Sequence, residues 1–139
     1  MKVQIRNLQK TKKIDLALIR KNIRKIFKLL SLSPGAISFV FCDKDCITRL
    51  NTQYLGKARS TDVIAFPLPG HDPQEFLGEV VVSVDAAGTN SRRFNTTFEA
   101  ELTLYIIHGI LHLLDYDDHT PAQRTKMRQK EQELIGKIF

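Results

Sequence analysis

The chain has 139 residues, 42% of them hydrophobic, with a net charge of +6 and two cysteines. That length fits a single domain over 1–139 with enough apolar side chain to bury a core, and two thiols exclude both a disulfide framework and a four-thiolate zinc site. No run approaches the ~18 apolar residues of a membrane span, and no apolar leader follows Met1-Lys2, so a cytoplasmic protein with no membrane partner is expected.

The charge is uneven. Residues 1–30 hold ten Lys or Arg against Asp15 alone, which leaves the rest of the chain at −3. Val3 to Arg6 reads as a short strand. From Leu16 to Leu30 the apolar residues Leu16, Ile19, Ile23, Ile26, Phe27 and Leu30 recur at helical spacing, with Arg20, Arg24 and Lys28 on the opposite side. A charge run is usually just a solvated face, but a face of one sign suits a polyphosphate chain, and without interleaved aromatics it reads phosphates rather than bases. Arg20, Arg24 and Lys28 are therefore candidate RNA contacts, with DNA not expected.

A second strand runs from Ala36 to Cys42 after the turn Ser33-Pro34-Gly35, and Asp43 is placed to cap a helix ending near Tyr54. Val63 to Phe66 and Glu79 to Val84 read as strands separated by a Pro/Gly-rich loop from Pro67 to Pro73. A helix over Asp85 to Arg93 precedes a longer one that is apolar almost all round between Leu102 and Leu114, so this central helix is expected to be buried. Thr120, Pro121 and Gln123 spell a capping box with proline at the first helical position. The alternation predicts an α/β fold, a mixed sheet of about four strands with packed helices.

The central helix carries His108-Gly109-Ile110-Leu111-His112, with Asp118 and His119 a few residues beyond. Histidines four apart share a helix face, and two of them with a third ligand on a returning loop can collect one Zn²⁺ while leaving a position open. A helical His pair is often merely packed. Here the apolar flank raises the demand for a partner, because a buried imidazole needs one. Glu101 and Tyr105, on the same stripe, are candidates to hydrogen-bond the outer imidazole nitrogens. In zinc peptidases the residue after the first His is a Glu base; here it is Gly109, which disfavours peptide hydrolysis.

His108-Gly-Ile-Leu-His112-Leu-Leu-Asp-Tyr-Asp-Asp118 resembles the signature His-Gly-x-Leu-His-Leu-x-Gly-Tyr-Asp-His of the YbeY-type bacterial endoribonucleases. Leu50-Asn51, Tyr54, Gly56-Lys57, the run Thr61 to Pro67, and the stretch Leu77 to Ser83 are similar to further blocks of that family in the same order. The resemblance implies a zinc-dependent, single-strand-specific endoribonuclease acting in ribosomal RNA processing and ribosome assembly, with the small ribosomal subunit as partner. Three departures stand out. Asp118 occupies the place of the family's third histidine, Asp115 that of the glycine after the helix, and Leu55 that of an arginine implicated in RNA cleavage. Register favours Asp118 as third ligand, with His119 as the alternative if a one-residue bulge intervenes. Lys57 and Arg59 are the candidate cations to balance charge on phosphorus oxygens, and Asp62 and Ser83 are expected to shape the cleft. Two other readings stay open: a non-catalytic RNA-binding assembly factor with a structural zinc, and a metal-dependent hydrolase of a small substrate.

Overall fold

A computed structural model describes residues 2–32, 36–56, 61–67 and 76–139. The turn at Ser33-Pro34-Gly35, most of the loop after Pro67, and both Lys57 and Arg59 lie outside them. Along the chain run β1 (Lys2–Asn7), α1 (Leu16–Leu29), β2 (Ala36–Cys42), α2 (Lys44–Leu55), β3 (Val63–Pro67), β4 (Phe76–Ser83), α3 (Val84–Arg93), α4 (Phe98–Leu113) and α5 (Pro121–Ile138). No helix is long and apolar enough to cross a membrane among the described residues.

The four strands form one sheet in the order β1-β2-β4-β3. β1, β2 and β4 are parallel, and β3 runs antiparallel along the β4 edge with Ile64 opposite Val81 and Ala65 opposite Val80. The mixed α/β sheet expected from the alternation of elements is thus observed. β2 is buried on both faces, which explains its continuous run of apolar residues. Its alternate residues Ile37, Phe39 and Phe41 join Val80 and Val82 under α1, α4 and α5, while Val40, Cys42, Ile64 and Val81 face Ile47 of α2.

Each helix starts on a side chain that accepts a hydrogen bond from its first turn: Asp15, Asp43, Ser83, Thr97 and Thr120. The capping box is complete at α5, where Gln123 Oε1 accepts from Thr120 N at 3.0 Å and Thr120 Oγ1 from Gln123 N at 3.1 Å. Helix ends are as definite. After α4, Asp115 takes φ +68°, its N–H donates to the His112 carbonyl, and Tyr116 N–H reaches back to Leu111 O at 2.9 Å. This paired bonding stops the helix with a left-handed residue, at the place where the resembled family has glycine and in a conformation that aspartate tolerates better than most residues.

α4 lies against β3 and β4, and Gly109 makes that approach possible. A Cβ at 109 would run into the Val80 side chain and sit 3.3 Å from Val63 Cγ2. On its other side α4 meets α1, where Asn22 Nδ2 donates to Thr103 Oγ1 at 3.4 Å, and α5, through Met127 and Leu134. Ten of its residues are buried, among them Leu102, Ile106, Ile107, Ile110 and Leu111 at 2% exposure or less. Burial of each such side chain contributes ~1.5–3 kcal/mol, which fixes the helix as the rigid base of whatever it displays.

Candidate metal centre

One stripe of α4 escapes burial. Leu104, His108 and His112, spaced four apart, are only partly covered. The histidine side chains keep 24% and 29% of their exposure. The expectation of two buried histidines is therefore corrected: packing on β3, β4, α1 and α5 covers the rest of the helix and leaves this stripe at the mouth of a cleft of about 340 Å³. Thr61, Asp62, Val63, Tyr105, Asp118 and Glu131 line it as well.

His108 Nε2 and His112 Nε2 are 3.1 Å apart, and Asp118 Oδ2 lies 3.6 Å from the first and 3.5 Å from the second. An ion bonded at ~2.1 Å to three corners of a tetrahedron spaces those corners about 3.4 Å apart, so the triangle has the size of one face of a zinc coordination shell. The three residues form a group that could hold a metal ion, and two imidazole nitrogens with one carboxylate oxygen are the ligand types zinc accepts.

The loop that returns Asp118 is held at both ends. The left-handed stop at Asp115 turns the chain back, the α5 capping box receives it, and Gln123 Oε1 also accepts from His119 N at 3.1 Å. The Arg124 guanidinium donates to the carbonyls of Asp118 and His119 at 3.3 and 3.1 Å. With both ends pinned, residue 118 meets the imidazoles and residue 119 points away. The His119 side chain is 82% exposed, and its ring lies 4.0 Å from Asp117.

Glu101 and Tyr105 are not where the sequence reading put them. Glu101 Oε1 accepts from Thr96 Oγ1 at 2.7 Å, and the Tyr105 hydroxyl accepts from Asn90 Nδ2 at 2.6 Å, so neither hydrogen bond reaches an imidazole. Tyr105 lines the cleft, but its hydroxyl is engaged by Asn90 of α3, and Glu101 by Thr96 just before α4. The residue sequence reasoning missed is Glu131 of α5, whose Oε2 lies 3.2 Å from His108 Nδ1. A signal was present: Glu131 falls between Met127 and Leu134 on the inward stripe of α5, where an acidic residue needs a partner.

Burial and the neighbouring His108 lower the pKa of His112, opposed by Asp118, which keeps its nitrogen lone pair available at neutral pH. Burial pushes the Tyr105 phenol up, so it stays protonated. Asp62 is exposed as a residue, yet its carboxyl is crowded by the cleft walls, and the resulting desolvation raises its pKa against the pull of His108. Ser83 caps α3 and, with Asp62, lines an adjoining recess beside Lys44 and Asn90; of the two, Asp62 also lines the cleft. On the other side of His112 a second recess of about 430 Å³ is walled by Asn51, Ile64, Ala65, His119 and Leu55, which is 50% exposed.

Arg24 and Lys28 are exposed on α1, but Arg20 is partly covered and its guanidinium donates to the Val3 carbonyl at 3.0 Å, tying the helix to β1. Arg20 is thereby partly committed to the fold.

His108, His112 and Asp118 form a three-residue group at an open cleft of an α/β sheet that could hold a metal ion. The Endoribonuclease YbeY family matches residues 4–138. An Endoribonuclease YbeY from Syntrophus aciditrophicus is 39% identical, covering 97% of this chain and 88% of its own. Another from Chlorobium luteolum is 34% identical over 100% of this chain and 99% of its own. The solution structure of TM1509 from Thermotoga maritima superposes with a TM-score of 0.69 at 29% identity, covering 98% of this chain and 88% of that one. The chain belongs to the YbeY family of metal-dependent endoribonucleases.

Proposed function

We propose that the protein is a zinc-dependent endoribonuclease that cuts single-stranded RNA during ribosomal RNA maturation in the cytoplasm, with the small ribosomal subunit as its partner. The observation that carries the reading is the triangle of His108, His112 and Asp118 at the cleft mouth, sized for one ion. These three residues hold the metal. When bound there, zinc supplies an acidified water, with a pKa lowered toward ~7, and a Lewis-acid contact to a phosphoryl oxygen.

The chain's own residues do the rest. His112 is kept neutral by burial and by the neighbouring His108, so no imidazolium has to be discharged before it serves as a ligand. Asp118 brings a negative charge where a third neutral imidazole would bring none. Position 109, where a peptidase would carry its Glu base, faces Val80 of the sheet and has no room for a side chain, which argues against peptide hydrolysis on this scaffold. Lys57 and Arg59 are the proposed cations for the phosphate, and in the sequence they fall between Leu55 and Thr61, both of which line the recess beside His112. The recess beside His112 and the exposed Leu55 suit an unpaired base better than a duplex. Arg24 and Lys28, with what Arg20 can spare, hold more distant phosphates.

Leu55 favours one second reading. An apolar wall where the family has a cation weakens the case for cleavage, and a non-catalytic assembly factor would need only the RNA-binding face and the fold. Incubating the purified protein with single-stranded RNA, with and without chelator and beside His112→Ala, separates the two. Chelator-sensitive cleavage lost in the variant is expected. Intact RNA in every lane, with salt-sensitive binding retained, would favour the assembly factor.

A further inference from the structure

We infer that Glu131 is a positioning residue that sets the tautomer of His108 and so makes the two histidines unequal partners for the ion; the metal half of this rests on the function proposed above. A carboxylate only accepts hydrogen bonds when ionised, so the 3.2 Å contact between Glu131 Oε2 and His108 Nδ1 places the imidazole proton on Nδ1. The other nitrogen of the same ring, Nε2, is the one that joins the ligand triangle, and the contact leaves it with a free lone pair. Glu131 is held where it is by structure remote from the loop. Its side chain is 13% exposed on α5, between Met127 and Leu134 at 1% each. An acidic group on a buried stripe costs desolvation, and the partner the structure gives it is His108.

His112 is treated differently. Its Nε2 lies 3.1 Å from His108 Nε2, and two lone pairs do not face each other at that distance. With the His108 proton held at Nδ1, the hydrogen in that contact sits on His112 Nε2. His108 is therefore in its metal-ready form before any ion arrives, while His112 must move a proton off Nε2 to bind. The pre-set imidazole is also the one whose ring orientation is fixed, because its outer N–H is held by a carboxylate.

The test has a half that needs no metal. At pH 8, above the ordinary imidazole range of about 6.5, ¹⁵N spectra of the metal-free protein should show His108 protonated at Nδ1 and His112 at Nε2. Adding zinc should move the His112 proton and leave the His108 pattern in place. In Glu131→Ala the His108 proton should redistribute toward Nε2, and zinc affinity by chelator competition should fall ~10- to 100-fold. Glu131→Gln, whose amide oxygen still accepts but carries no charge, should keep the tautomer and lose less affinity. Circular dichroism of both variants guards against simple unfolding. A His108 tautomer indifferent to Glu131→Ala overturns the inference. A protein that takes up no zinc but whose His108 tautomer follows Glu131 overturns the proposed metal and leaves the positioning role standing.

Discussion

Helices α1 and α4 pack on the same face of the sheet and stand over its opposite edges. α1 is tied to β1 through Arg20 and Val3, and the open stripe of α4 borders Val63 of β3. Their sequences solve different problems. α1 buries Ile19, Ile23, Ile26 and Phe27 and turns lysines and arginines to water, so its outward chemistry depends on how much charge it carries rather than on where each atom lies. α4 is apolar nearly all round and exposes one narrow stripe whose chemistry depends on three distances of 3.1 to 3.6 Å. The first kind of surface should degrade gradually under mutation and the second abruptly.

The steepest loss is expected at the triangle. Asp118→Ala should lower zinc affinity by more than the ~100-fold typical of residues behind the ligands, with RNA cleavage falling to the chelator-treated level, whereas His119→Ala should leave bound metal unchanged. Metal content by atomic absorption decides it. If His119→Ala alone strips the ion, the loop closes on the metal differently from the geometry described above. On α1 the matching experiment is blunter. Reversing Arg20, Arg24 and Lys28 to Glu together should weaken RNA binding roughly ten- to a hundredfold at low salt and flatten the salt dependence, while single changes shift it little. One single substitution that abolished binding would erase the contrast between the two helices.

Part of this was legible in the chain. The strands and helices are local matters, governed by side-chain alternation and by one residue's reach to nearby N–H groups: β2 and the starts of α2 and α5 stand where the sequence places them, whereas β4 begins earlier, at Phe76, and yields Val84 to α3, and α4 starts at Phe98, four residues before the apolar run that marks it. The strand order β1-β2-β4-β3 is set by pairings far apart in the chain, which no local pattern encodes. The site divides the same way. His108, His112 and Asp118 come together because a helix turn and a pinned loop bring them; the histidine pair is readable from spacing, whereas Asp118 over His119 follows from the register of the family the chain resembles. The partner of His108 was misassigned, because Tyr105 and Glu101 are near in sequence while Glu131 arrives from α5, 23 residues on. The histidines looked buried because the flank is apolar, yet a helix can be covered everywhere except the stripe that works.

Gly109 supplies a middle-sized effect that separates scaffold from chemistry. Gly109→Ala should cost about 1–3 kcal/mol, since the added methyl meets Val80 on the sheet and neither helix nor strand can retreat without disturbing a close-packed core. A helix-interior glycine would otherwise gain roughly 0.5–1 kcal/mol on becoming alanine, so the sign of the change is itself informative. Thermal melts of the variant should show a drop of several degrees. A rise would mean that α4 does not press on β4 as closely as the structure has it.

The smallest effect, and the one that tests the loop rather than the ligands, concerns Asp115. Left-handed backbone costs an ordinary L-residue about 1–2 kcal/mol, and glycine escapes that penalty. Asp115 stands at φ +68°, with its own N–H bonded to the His112 carbonyl and that of Tyr116 bonded to Leu111. Asp115→Gly should therefore stabilise the protein, by less than the full penalty because aspartate tolerates this region better than most residues and glycine brings extra freedom to the unfolded chain. A gain of about 0.5–1 kcal/mol is expected by denaturant titration, with zinc affinity unchanged, because the turn is the same and only its strain is relieved. A stabilised variant that binds zinc more weakly would show that the strain at residue 115 helps press Asp118 toward the imidazoles, and the loop would then belong to the site in the same demanding sense as α4.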